Sequence, residues 1–530
     1  MIVTCDGMRE LEEKAFAAGA TAESLMDEAG KAIAAAVEQF CPAPGLCRVV
    51  FGKGHNGGDA LVAARHLAEA GWRVVLEEVF PREKLAPLTA KKLEELLALP
   101  AYGLQVEKTP DHAAVHSHSP KAILDGLLGI GAKPGLREPI RSAAAEINRL
   151  RHESGAMVFA LDIPTGLDGD TGESGPDTVR ADVTLAVGFA KQGELADSAI
   201  DHVGRLAVLS LPELDAAAAA SIPAGDQVAT PATLRKPRNL VQPRRFSVHK
   251  GDCGRVGIIA GSRGLTGAAV MAADAAVRAG AGLVSLFVTP DAYPAIAPAV
   301  RPEVMTSPVE SYRDVLDRPF DVLAIGPGLG PNARHQDAED LLAVIAAFAG
   351  PMVIDADALN LLSASPENLE TLRRCAGPRL LTPHPGEMRR LFPESGALSR
   401  RETVVQFLDR FRSEEPEPGK APLLTLLLKG ARTVIGWREE GTVRISYNST
   451  GSPGMATGGM GDVLTGTCAA LAGQKLALPD AARLGAWLCG RAAEIAITHG
   501  WQSVESLCAT DLPDFFGSAF NELRGGAPVS

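Results

Sequence analysis

Two glycine-rich loops lie near opposite ends of this 530-residue chain and carry residue types that suit phosphate binding. Residues 52–59 read Gly-Lys-Gly-His-Asn-Gly-Gly-Asp, and residues 458–462 read Gly-Gly-Met-Gly-Asp. Glycine lets a backbone approach a phosphate closely or turn with positive φ, and each loop ends in an aspartate placed where a helix can begin. Glycine clusters are also common in plain turns. Together the loops predict two sites for phosphates or nucleotides.

Polar side chains end three strand-like stretches in the first half of the chain. Asn56 and Asp59 follow the first stretch, Asp125 ends the next, and Asp162 ends a third. Acidic residues at such places are often only turn or helix caps. The carboxyl ends of parallel strands, however, meet at one edge of a sheet. We therefore expect these side chains to converge on a site.

Residues 52–59, 125–131 and 161–168 together resemble the NAD(P)H-hydrate epimerase domain. That family is a Rossmann-like sandwich that interconverts the R and S forms of hydrated NAD(P)H and holds a potassium ion. The resemblance implies that Asp162 contacts the hydrate and moves a proton. It implies further hydrate contacts from two loops: His55, Asn56, Gly57, Gly58, Asp59, Gly129, Ile130, Gly131, Ala132, Lys133, Pro134 and Gly135. The implied potassium ligands are Asn56, Asp125 and Thr165, whose oxygen atoms suit a hard cation.

Two positions depart from the pattern of that family. His55 stands where the family usually has a second asparagine, and Ala60 stands where it usually has glycine. Histidine can donate a hydrogen bond in place of an amide, but it is bulkier and can titrate near neutral pH. Because Asn56 and Asp59 are kept, we expect binding to be kept.

The second glycine loop reads as a turn that passes into a helix, with Asp462 at the start of that helix. Backbone N–H groups and the helix dipole there would stabilise a phosphoryl group in transfer, and Asp462 can take a proton from an attacking hydroxyl. No Gly-Lys-Ser/Thr follows the glycines, so this is not a Walker loop. The pattern resembles the ribokinase-like superfamily.

Further segments between residues 226 and 515 resemble the ADP-dependent NAD(P)H-hydrate dehydratase, in order as well as in content: 261–268, 278–284, 326–330, 355–360, 382–387 and 429–433. The resemblance implies hydrate contacts from Ala268, Gly330, His384 and Asp462. It implies nucleotide contacts from Lys429, Gly430, Ala431, Arg432, Thr433 and Gly461. Glu387 would help to place Mg²⁺ through water.

Three residues of the second half keep an alternative interpretation. A histidine such as His384 is more often a satisfied structural residue, although its flanking prolines at a strand end direct it toward the cleft. Asp355 and Asp357 also fit turn caps, and their roles stay open.

The resemblance implies a repair reaction in two parts. A kinase-like domain would pass a phosphoryl group from ADP to the ring hydroxyl, after which phosphate departs and AMP and the reduced nicotinamide remain. Such dehydratases accept only the S hydrate, so the epimerase domain would make the R form usable. Two alternatives stay open: a small-molecule kinase acting on hydroxyethylthiazole or hydroxymethylpyrimidine, and a first domain that only binds.

These sites need a scaffold, and the apolar pattern provides one in both halves. The spacing over residues 21–40 predicts an amphipathic helix, and the order strand, loop, helix, strand over residues 48–76 predicts a βαβ unit. The alternation predicts an α/β protein. The two resemblances imply a Rossmann-like three-layer sandwich over residues 1–213 and a ribokinase-like α/β domain over residues 226–530. An alanine run marks residues 214–225 as the linker, with a last helix of the first domain as the alternative.

Composition excludes several classes of function. The chain has 52 Lys and Arg against 64 Asp and Glu, a formal net charge of −12, which argues against a general nucleic-acid or anionic-membrane binder. Its start lacks a basic segment followed by an apolar one, and no window approaches roughly 18 uninterrupted apolar residues. We expect a cytoplasmic homo-oligomer whose partners are hydrated NADH and NADPH and ADP, with no nucleic acid and no membrane.

Overall fold

The computed structural model describes residues 1–98, 104–107, 119–219, 225–234, 244–330, 335–411, 423–500 and 502–525. Contacts divide the chain into two compact units, of which the second begins at Gln227. Each unit is an α/β fold around its own large sheet, as the alternation of strands and helices predicts.

The helices and strands of the first unit alternate along the chain. Its strands are β1 (Ile2–Val3), β2 (Leu46–Phe51), β3 (Arg73–Glu78), β4 (Leu104–Glu107), β5 (Ala122–Gly126), β6 (Met157–Leu161), β7 (Val183–Val187), β8 (Ala190–Lys191) and β9 (Arg205–Leu209). Its helices are α1 (Cys5–Ala17), α2 (Ala22–Phe40), α3 (His55–Glu69), α4 (Pro87–Leu97), α5 (Ile140–Ser154), α6 (Ile200–Val203) and α7 (Pro212–Ala219).

The main sheet of the first unit is parallel, with strand order β4-β3-β2-β5-β6-β7-β9. Apolar side chains of α2, α3 and α4 pack on one face and those of α5 on the other, which makes three layers. The order reverses between β2 and β5, and open α/β sheets bind ligands outside the carboxyl ends of strands at such a point. Gly52 follows β2 and Asp125 lies near the end of β5, so both lie there.

The alanine run at the end of the first unit is helical where the structure describes it. Leu214 of α7 packs in one apolar cluster with Met8 and Leu11 of α1. Alanine has the highest helix propensity, so the run continues the helix. The predicted linker therefore begins within α7, which runs to Ala219, and residues 214–219 form the short helix given as its alternative. Residues 220–224 of the predicted linker lie outside the described residues.

The second unit follows the same alternation. Its strands are β10 (Gln227–Ala229), β11 (Arg255–Ile259), β12 (Leu283–Val288), β13 (Val304–Pro308), β14 (Val322–Ile325), β15 (Met352–Ile354), β16 (Arg379–Leu381), β17 (Leu424–Leu428), β18 (Val434–Glu439) and β19 (Thr442–Asn448). Its helices are α8 (Pro231–Leu234), α9 (Thr266–Arg278), α10 (Tyr293–Ile296), α11 (His335–Ala347), α12 (Ala356–Ser363), α13 (Pro366–Leu369), α14 (Pro385–Leu391), α15 (Arg400–Arg410), α16 (Met460–Gly473), α17 (Leu478–Thr498) and α18 (Leu512–Gly525).

The sheet of the second unit has the order β10-β19-β18-β17-β16-β15-β14-β11-β12-β13. Its strands run parallel from β17 to β13, and β17, β18 and β19 form an antiparallel meander. The strand order reverses between β11 and β14, which marks the expected ligand-binding edge. Helices α9, α16 and α17 contribute much of the apolar cluster that covers one face.

Within the described ranges, no helix combines the length and apolar character needed to cross a membrane.

Candidate active sites

The first glycine loop turns directly from β2 into α3, which begins at His55. A β-carbon at Gly52 would lie 2.1 Å from the carbonyl oxygen of Leu127, and one at Gly57 would lie 2.2 Å from the carbonyl oxygen of Gly52. Glycine is therefore required at both positions by close backbone approach. The loop brings the N-terminus of α3, with the positive end of its helix dipole, to the edge of the sheet.

Asn56 lies in the first turn of α3 and is 9% exposed. Its amide oxygen and amide nitrogen are both buried without a hydrogen-bond partner among the described residues. A buried polar group left unpaired costs about 1–3 kcal/mol, and native structures contain few of them. The amide is therefore placed to bind an ion or a ligand.

Asp125 and Thr165 contact each other in the interior of the first unit. The Thr165 hydroxyl donates to Asp125 Oδ1 at 2.7 Å, and the Thr165 backbone N–H donates to Asp125 Oδ2 at 2.9 Å. Burial raises the pKa of Asp125 to about 6, although these hydrogen bonds act to lower it. The structure thus brings together two of the three predicted potassium ligands.

Asp162 follows β6 and has a left-handed backbone, with φ 67°. Its Oδ1 accepts a hydrogen bond from the ammonium of Lys191, whose side chain is 0% exposed. A β-carbon at Gly129 would lie 3.1 Å from Asp162 Oδ2 and 3.6 Å from the amide carbon of Asn56. Asp162, Asn56 and the loop of residues 129–135 therefore meet at one place, as predicted.

Carboxyl groups surround the Lys191 ammonium. Burial alone would lower the pKa of Lys191, but the carboxylates of Asp162 and Glu194 raise it. Burial and the charge of Asp162 raise the pKa of Glu12. Burial and the charges of Asp162 and Glu12 raise the pKa of Asp59 well above its ordinary value. This crowding favours the neutral form of Asp59, which can then donate a hydrogen bond.

The predicted substrate loop of residues 129–135 is closed by a turn and an ion pair. The Ala132 N–H donates to the Gly129 carbonyl oxygen at 2.8 Å. Lys133 Nζ lies 2.9 Å from Asp168 Oδ2, and this bond lowers the pKa of Asp168 to about 2. Gly135 has φ 86°, a conformation that suits glycine. Asp168, for which the sequence analysis assigned no role, thus holds this loop through Lys133.

The two departures from the family pattern differ in their surroundings. His55 is exposed at the first position of α3. Ala60 is fully buried, and a β-carbon at Gly126 would lie 2.5 Å from the Ala60 methyl group. The methyl group of Ala60 therefore fills space that Gly126 leaves open, and α3 still packs closely on β5.

The second glycine loop passes into α16, as predicted, with Asp462 in the first helical turn. Gly459 precedes the helix with φ 90°, and a β-carbon there would lie 2.5 Å from the Met271 sulfur. Both the conformation and the space require glycine. The loop presents the N-terminus of α16, where helix N–H groups stabilise negative charge.

Asp355 lies at the centre of the second site, directly after β15, with 1% of its side chain exposed. Its Oδ1 accepts from Lys429 Nζ at 2.7 Å, and its Oδ2 accepts from the Thr465 hydroxyl at 2.8 Å. A β-carbon at Gly461 would lie 3.2 Å from Lys429 Nζ. Asp355 therefore links β17 to α16 and holds an ammonium group beside the glycine loop.

Asp462 and Lys429 share this acidic surrounding. Burial raises the pKa of Asp462 to about 6, the nearby carboxylates of Asp355 and Asp357 add to the rise, and Lys429 opposes it. Burial alone would lower the pKa of Lys429, but Asp355 and Glu387 raise it. Asp462 can therefore exchange a proton close to neutral pH, as a general base requires.

His384 caps helix α14 through one ring nitrogen, so this part of its side chain has a structural role. Nδ1 accepts from the Gly386 N–H at 2.9 Å, and Glu387 Oε2 accepts from the His384 N–H at 2.7 Å. The side chain is nevertheless 51% exposed, with Nε2 lying 3.5 Å from Glu387 Oε1. Its Nε2 is the ring atom left for a ligand.

Ala268 and Gly330 lie on the edge where the strand order of the second sheet reverses. Ala268 is in the first turn of α9, and a β-carbon at Gly328 would lie 2.8 Å from its methyl group. Gly330 has φ 82°, and its N–H donates to Asp357 Oδ2 at 2.7 Å. Asp357, whose role the sequence left open, therefore fixes the glycine turn beside Ala268.

The predicted nucleotide segment, residues 429–433, forms the turn from β17 to β18. The Lys429 N–H donates to the Pro383 carbonyl oxygen at 2.9 Å. Gly430 and Ala431 are exposed, whereas Arg432 is buried and its carbonyl oxygen accepts from Arg400 Nη1 at 2.8 Å. The Thr433 hydroxyl donates to the Gly430 carbonyl oxygen at 3.3 Å.

Fold and sites together define the class of this protein: a two-part α/β enzyme in which a Rossmann-like unit precedes a ribokinase-like unit. Two family models match the chain, "YjeF-related protein N-terminus" over residues 22–193 and "NAD(P)H-hydrate dehydratase" over residues 256–512. The chain belongs to the family of bifunctional NAD(P)H-hydrate repair enzymes. This confirms the family resemblance predicted from the motifs.

Relatives carry that name over nearly their whole length. The bifunctional NAD(P)H-hydrate repair enzyme Nnr of Coxiella burnetii is 34% identical over 516 residues, covering 95% of this chain and 96% of the relative. The Nnr of Escherichia coli K12 is 33% identical over 517 residues, covering 96% and 91%. Among solved structures, the ADP/ATP-dependent NAD(P)H-hydrate dehydratase of Bacillus subtilis, co-crystallised with ATP/Mg²⁺, is 25% identical, with TM-score 0.45, covering 56% of this chain and 99% of that one.

Proposed function

We propose that this chain restores both forms of hydrated NADH and NADPH. Its first unit interconverts the R and S hydrates, and its second unit dehydrates the S hydrate with ADP, yielding the reduced nicotinamide, AMP and phosphate. The observation that carries the proposal is the full-length similarity to enzymes named for this repair, supported by an aspartate at the ligand-binding edge of each unit. We assign the epimerase to residues 1–213 and the dehydratase to residues 226–530.

In the first unit, Asp162 is the acid–base group of the epimerisation. Changing the configuration of a carbon that carries a hydroxyl group requires a proton to move. Residues 55–59 and 129–135 bind the hydrate, because Gly129 lies beside both Asp162 and Asn56. The exposed position of His55 leaves it free to contact the substrate.

A potassium ion fits the first unit between Asn56, Asp125 and Thr165. The unpartnered Asn56 amide supplies an oxygen that the described residues leave unpaired. Amide, carboxylate and hydroxyl oxygens are the donors that hard cations prefer. A bound potassium ion would supply positive charge at the substrate-binding edge, and Asn56 would orient its amide oxygen toward it.

Replacing Asn56 by Leu is expected to abolish stabilisation by potassium. An ion that binds only the folded chain stabilises it by an amount that grows with the logarithm of the ion concentration above its dissociation constant. The melting temperature of the wild-type chain should therefore rise when potassium chloride replaces choline chloride at constant ionic strength, and that of N56L should not. Asn148→Leu serves as the control, because Asn148 donates to the Thr178 carbonyl oxygen and lies in the same unit. An equal potassium effect in N56L would contradict the assignment.

In the second unit, Asp462 takes the proton of the ring hydroxyl as that oxygen attacks the β-phosphorus of ADP. The new oxygen–phosphorus bond forms as the bond to AMP breaks. The phosphate then leaves with the electrons of the carbon–oxygen bond, and a ring proton is lost to give back the reduced nicotinamide. Lys429 and the N-terminus of α16 stabilise the charge that develops on the phosphoryl group.

Different residues of the second unit would bind the nucleotide, the hydrate and Mg²⁺. Lys429, Gly430, Ala431, Arg432, Thr433 and Gly461 form our proposed nucleotide site, with Ala268, Gly330 and His384 contacting the hydrate. The described residues contain no group of three His, Cys, Asp or Glu side chains that could hold a metal by themselves. This agrees with Mg²⁺, which usually binds through one or two carboxylates, substrate phosphates and water. Glu387 would hold it through water.

The dehydration rate is expected to rise with pH through about pH 6. Burial and nearby carboxylates raise the pKa of Asp462 to about 6, and only the deprotonated form accepts a proton. The value of kcat/KM for the S hydrate, which reports the free enzyme, should therefore fall about tenfold for each unit below that pKa. A profile that stays flat from about pH 5 to 8 would contradict the role given to Asp462.

The small-molecule kinase alternative is less well supported, because the relatives that match both units are named repair enzymes. Product analysis separates the two. Repair predicts AMP, phosphate and reduced nicotinamide in equal amounts from ADP and the S hydrate. A kinase would instead leave a stable phosphorylated alcohol when hydroxyethylthiazole and a nucleotide are supplied, and would not restore the nicotinamide.

A further inference from the structure

We propose that Lys191 is a positioning residue for the epimerisation, because it fixes one carboxylate oxygen of Asp162 so that the other faces the substrate loop. The inference rests on the proposed function of the first unit and assigns a role to a residue outside its glycine-rich motifs. It follows from the geometry around Asp162, not from the family pattern.

The Lys191 side chain is completely buried, which is rare for lysine unless it is paired. Lys191 is the last residue of β8, which pairs with β1 so that Lys191 lies opposite Val3. This strand pairing fixes the backbone of Lys191. Its backbone N–H donates to Glu194 Oε2 at 2.5 Å. Its ammonium donates to Asp162 Oδ1 and, at 3.2 Å, to the Val187 carbonyl oxygen. A fixed backbone and two acceptors give the ammonium one defined position.

The two oxygens of Asp162 have different surroundings. Oδ1 accepts from Lys191, whereas Oδ2 would lie 3.1 Å from a β-carbon at Gly129. Gly129 begins the loop that we propose to bind the hydrate, and Asn56 lies next to it. The oxygen that Lys191 does not bind is therefore the one that reaches the substrate. Loss of the ammonium would free the carboxylate to rotate.

The backbone of Asp162 points to the same conclusion. Its φ of 67° is left-handed, a conformation that is uncommon outside glycine and is often found at functional sites. The Asp162 N–H donates to the Leu185 carbonyl oxygen at 2.9 Å, which anchors this conformation to β7. Backbone and side chain of Asp162 are thus both held, the first by β7 and the second by Lys191.

The charge around Lys191 agrees with this role. Carboxyl groups of Glu12 on α1, Asp59 on α3, Asp162 after β6 and Glu194 after β8 all act electrostatically on this cluster. Without the ammonium, Asp162 would face these acids unpaired. Its carboxylate would then be less well oriented, so the effect should fall on the chemical step more than on binding.

The test compares Lys191→Met with Lys191→Arg and with Lys92→Met in the full chain. Lys92 is an equally suitable buried lysine of the first unit, 4% exposed and bonded to Glu23, Asp27 and Glu95. With ADP present, the second unit removes the S hydrate, so the later loss of the R hydrate measures epimerisation. We expect K191M to lower kcat for the R hydrate about 100-fold with KM changed less than about threefold. K191R should recover part of kcat, and K92M should keep the wild-type rate.

The outcomes separate the inference from the proposed function. If the wild-type chain consumes the R hydrate only at the spontaneous rate, the proposed epimerase itself is wrong. If the wild-type chain is active and K191M keeps kcat within about twofold, or loses affinity with kcat unchanged, only the role of Lys191 is wrong. Recovery of the S hydrate reports in the same sample that the second unit is folded, and limited proteolysis of each variant checks the first unit. If K191M does not fold, Lys191→Gln replaces it, because its shorter, neutral side chain removes the ammonium from Asp162, and kcat for the R hydrate should again fall with KM changed less.

Discussion

Replacing Asp462 by Asn is expected to abolish ADP-dependent recovery of reduced nicotinamide from either hydrate. Asp462 lies at the N-terminus of α16 with a pKa raised to about 6, and amide replacement removes the group that takes the hydroxyl proton. General-base catalysis contributes about 10²–10⁴-fold, so the dehydration rate should fall by at least about 100-fold. The first unit should still interconvert the R and S hydrates in this variant, which chromatography of the two hydrates would measure.

Asp480→Asn is the matched control for this variant. Asp480 lies in the first turn of α17, in the same unit, and bonds to Arg483 at 3.1 Å. D480N should keep dehydration within about twofold of the wild-type rate, because a surface or helix-terminal charge affects stability far more than chemistry. Dehydration by D462N at more than about a tenth of the wild-type rate would contradict the catalytic role of Asp462.

Replacing Asp162 by Asn is expected to divide the two activities. The S hydrate should be recovered at the wild-type rate, because its dehydration takes place in the second unit. The R hydrate should remain, apart from its spontaneous interconversion, because Asp162 supplies the proton transfer at the first site. In a time course with ADP, rapid recovery should therefore end once the S hydrate has been used. The R hydrate should then be consumed about 100-fold more slowly than with the wild-type chain.

Asp182→Asn serves as the control for the first unit. Asp182 accepts from Arg151 at 2.6 Å and from the Val158 N–H at 2.8 Å, and it lies at the opposite ends of the strands from Asp162. D182N should lose stability but complete the recovery of both hydrates. Consumption of the R hydrate by D162N at the wild-type rate would show that another group performs the epimerisation.

The glycine loops and the strand-end aspartates could be predicted because local sequence determines them. Gly52 and Gly57 are required by backbone atoms a few residues away or on the adjacent strand, and no other residue type fits. Asp125 and Asp162 end apolar strands of a parallel sheet, so their convergence follows from the topology alone. The same reasoning gave Asp462, because a glycine turn into a helix is visible in the sequence.

The side-chain partners of Asp162 and Asp355 could not be predicted. Lys191 binds Asp162 across 29 residues, and Lys429 binds Asp355 across 74, so both pairs depend on how whole strands pack. Thr465 meets Asp355 across 110 residues for the same reason. The signals present were a lysine at the end of an apolar stretch, Phe189 to Lys191, and an acidic residue directly after β15. Neither signal names its partner.

For two further features, the role of His384 and the conformation of the alanine run, the sequence allowed two interpretations each. His384 was predicted to contact the hydrate, with a structural role as the alternative. Its Nδ1 caps α14, because a helix N-terminus leaves N–H groups unsatisfied, and its side chain is 51% exposed. Residues 214–225 were predicted as the linker, with a last helix of the first domain as the alternative. Residues 214–219 are helical, because alanine favours the helix. The left-handed φ of Asp162 had no sequence signal at all.

The most direct test of the proposed repair is a time course with the wild-type chain, ADP, Mg²⁺ and an equilibrated mixture of R and S NADPH hydrates. Both hydrates, NADPH and AMP are measured separately. The proposed function predicts that the S hydrate disappears first and that the R hydrate follows faster than its spontaneous interconversion. NADPH should recover fully, with an equal amount of AMP. Recovery that stops at the S fraction, or NADPH formed without AMP, would contradict it.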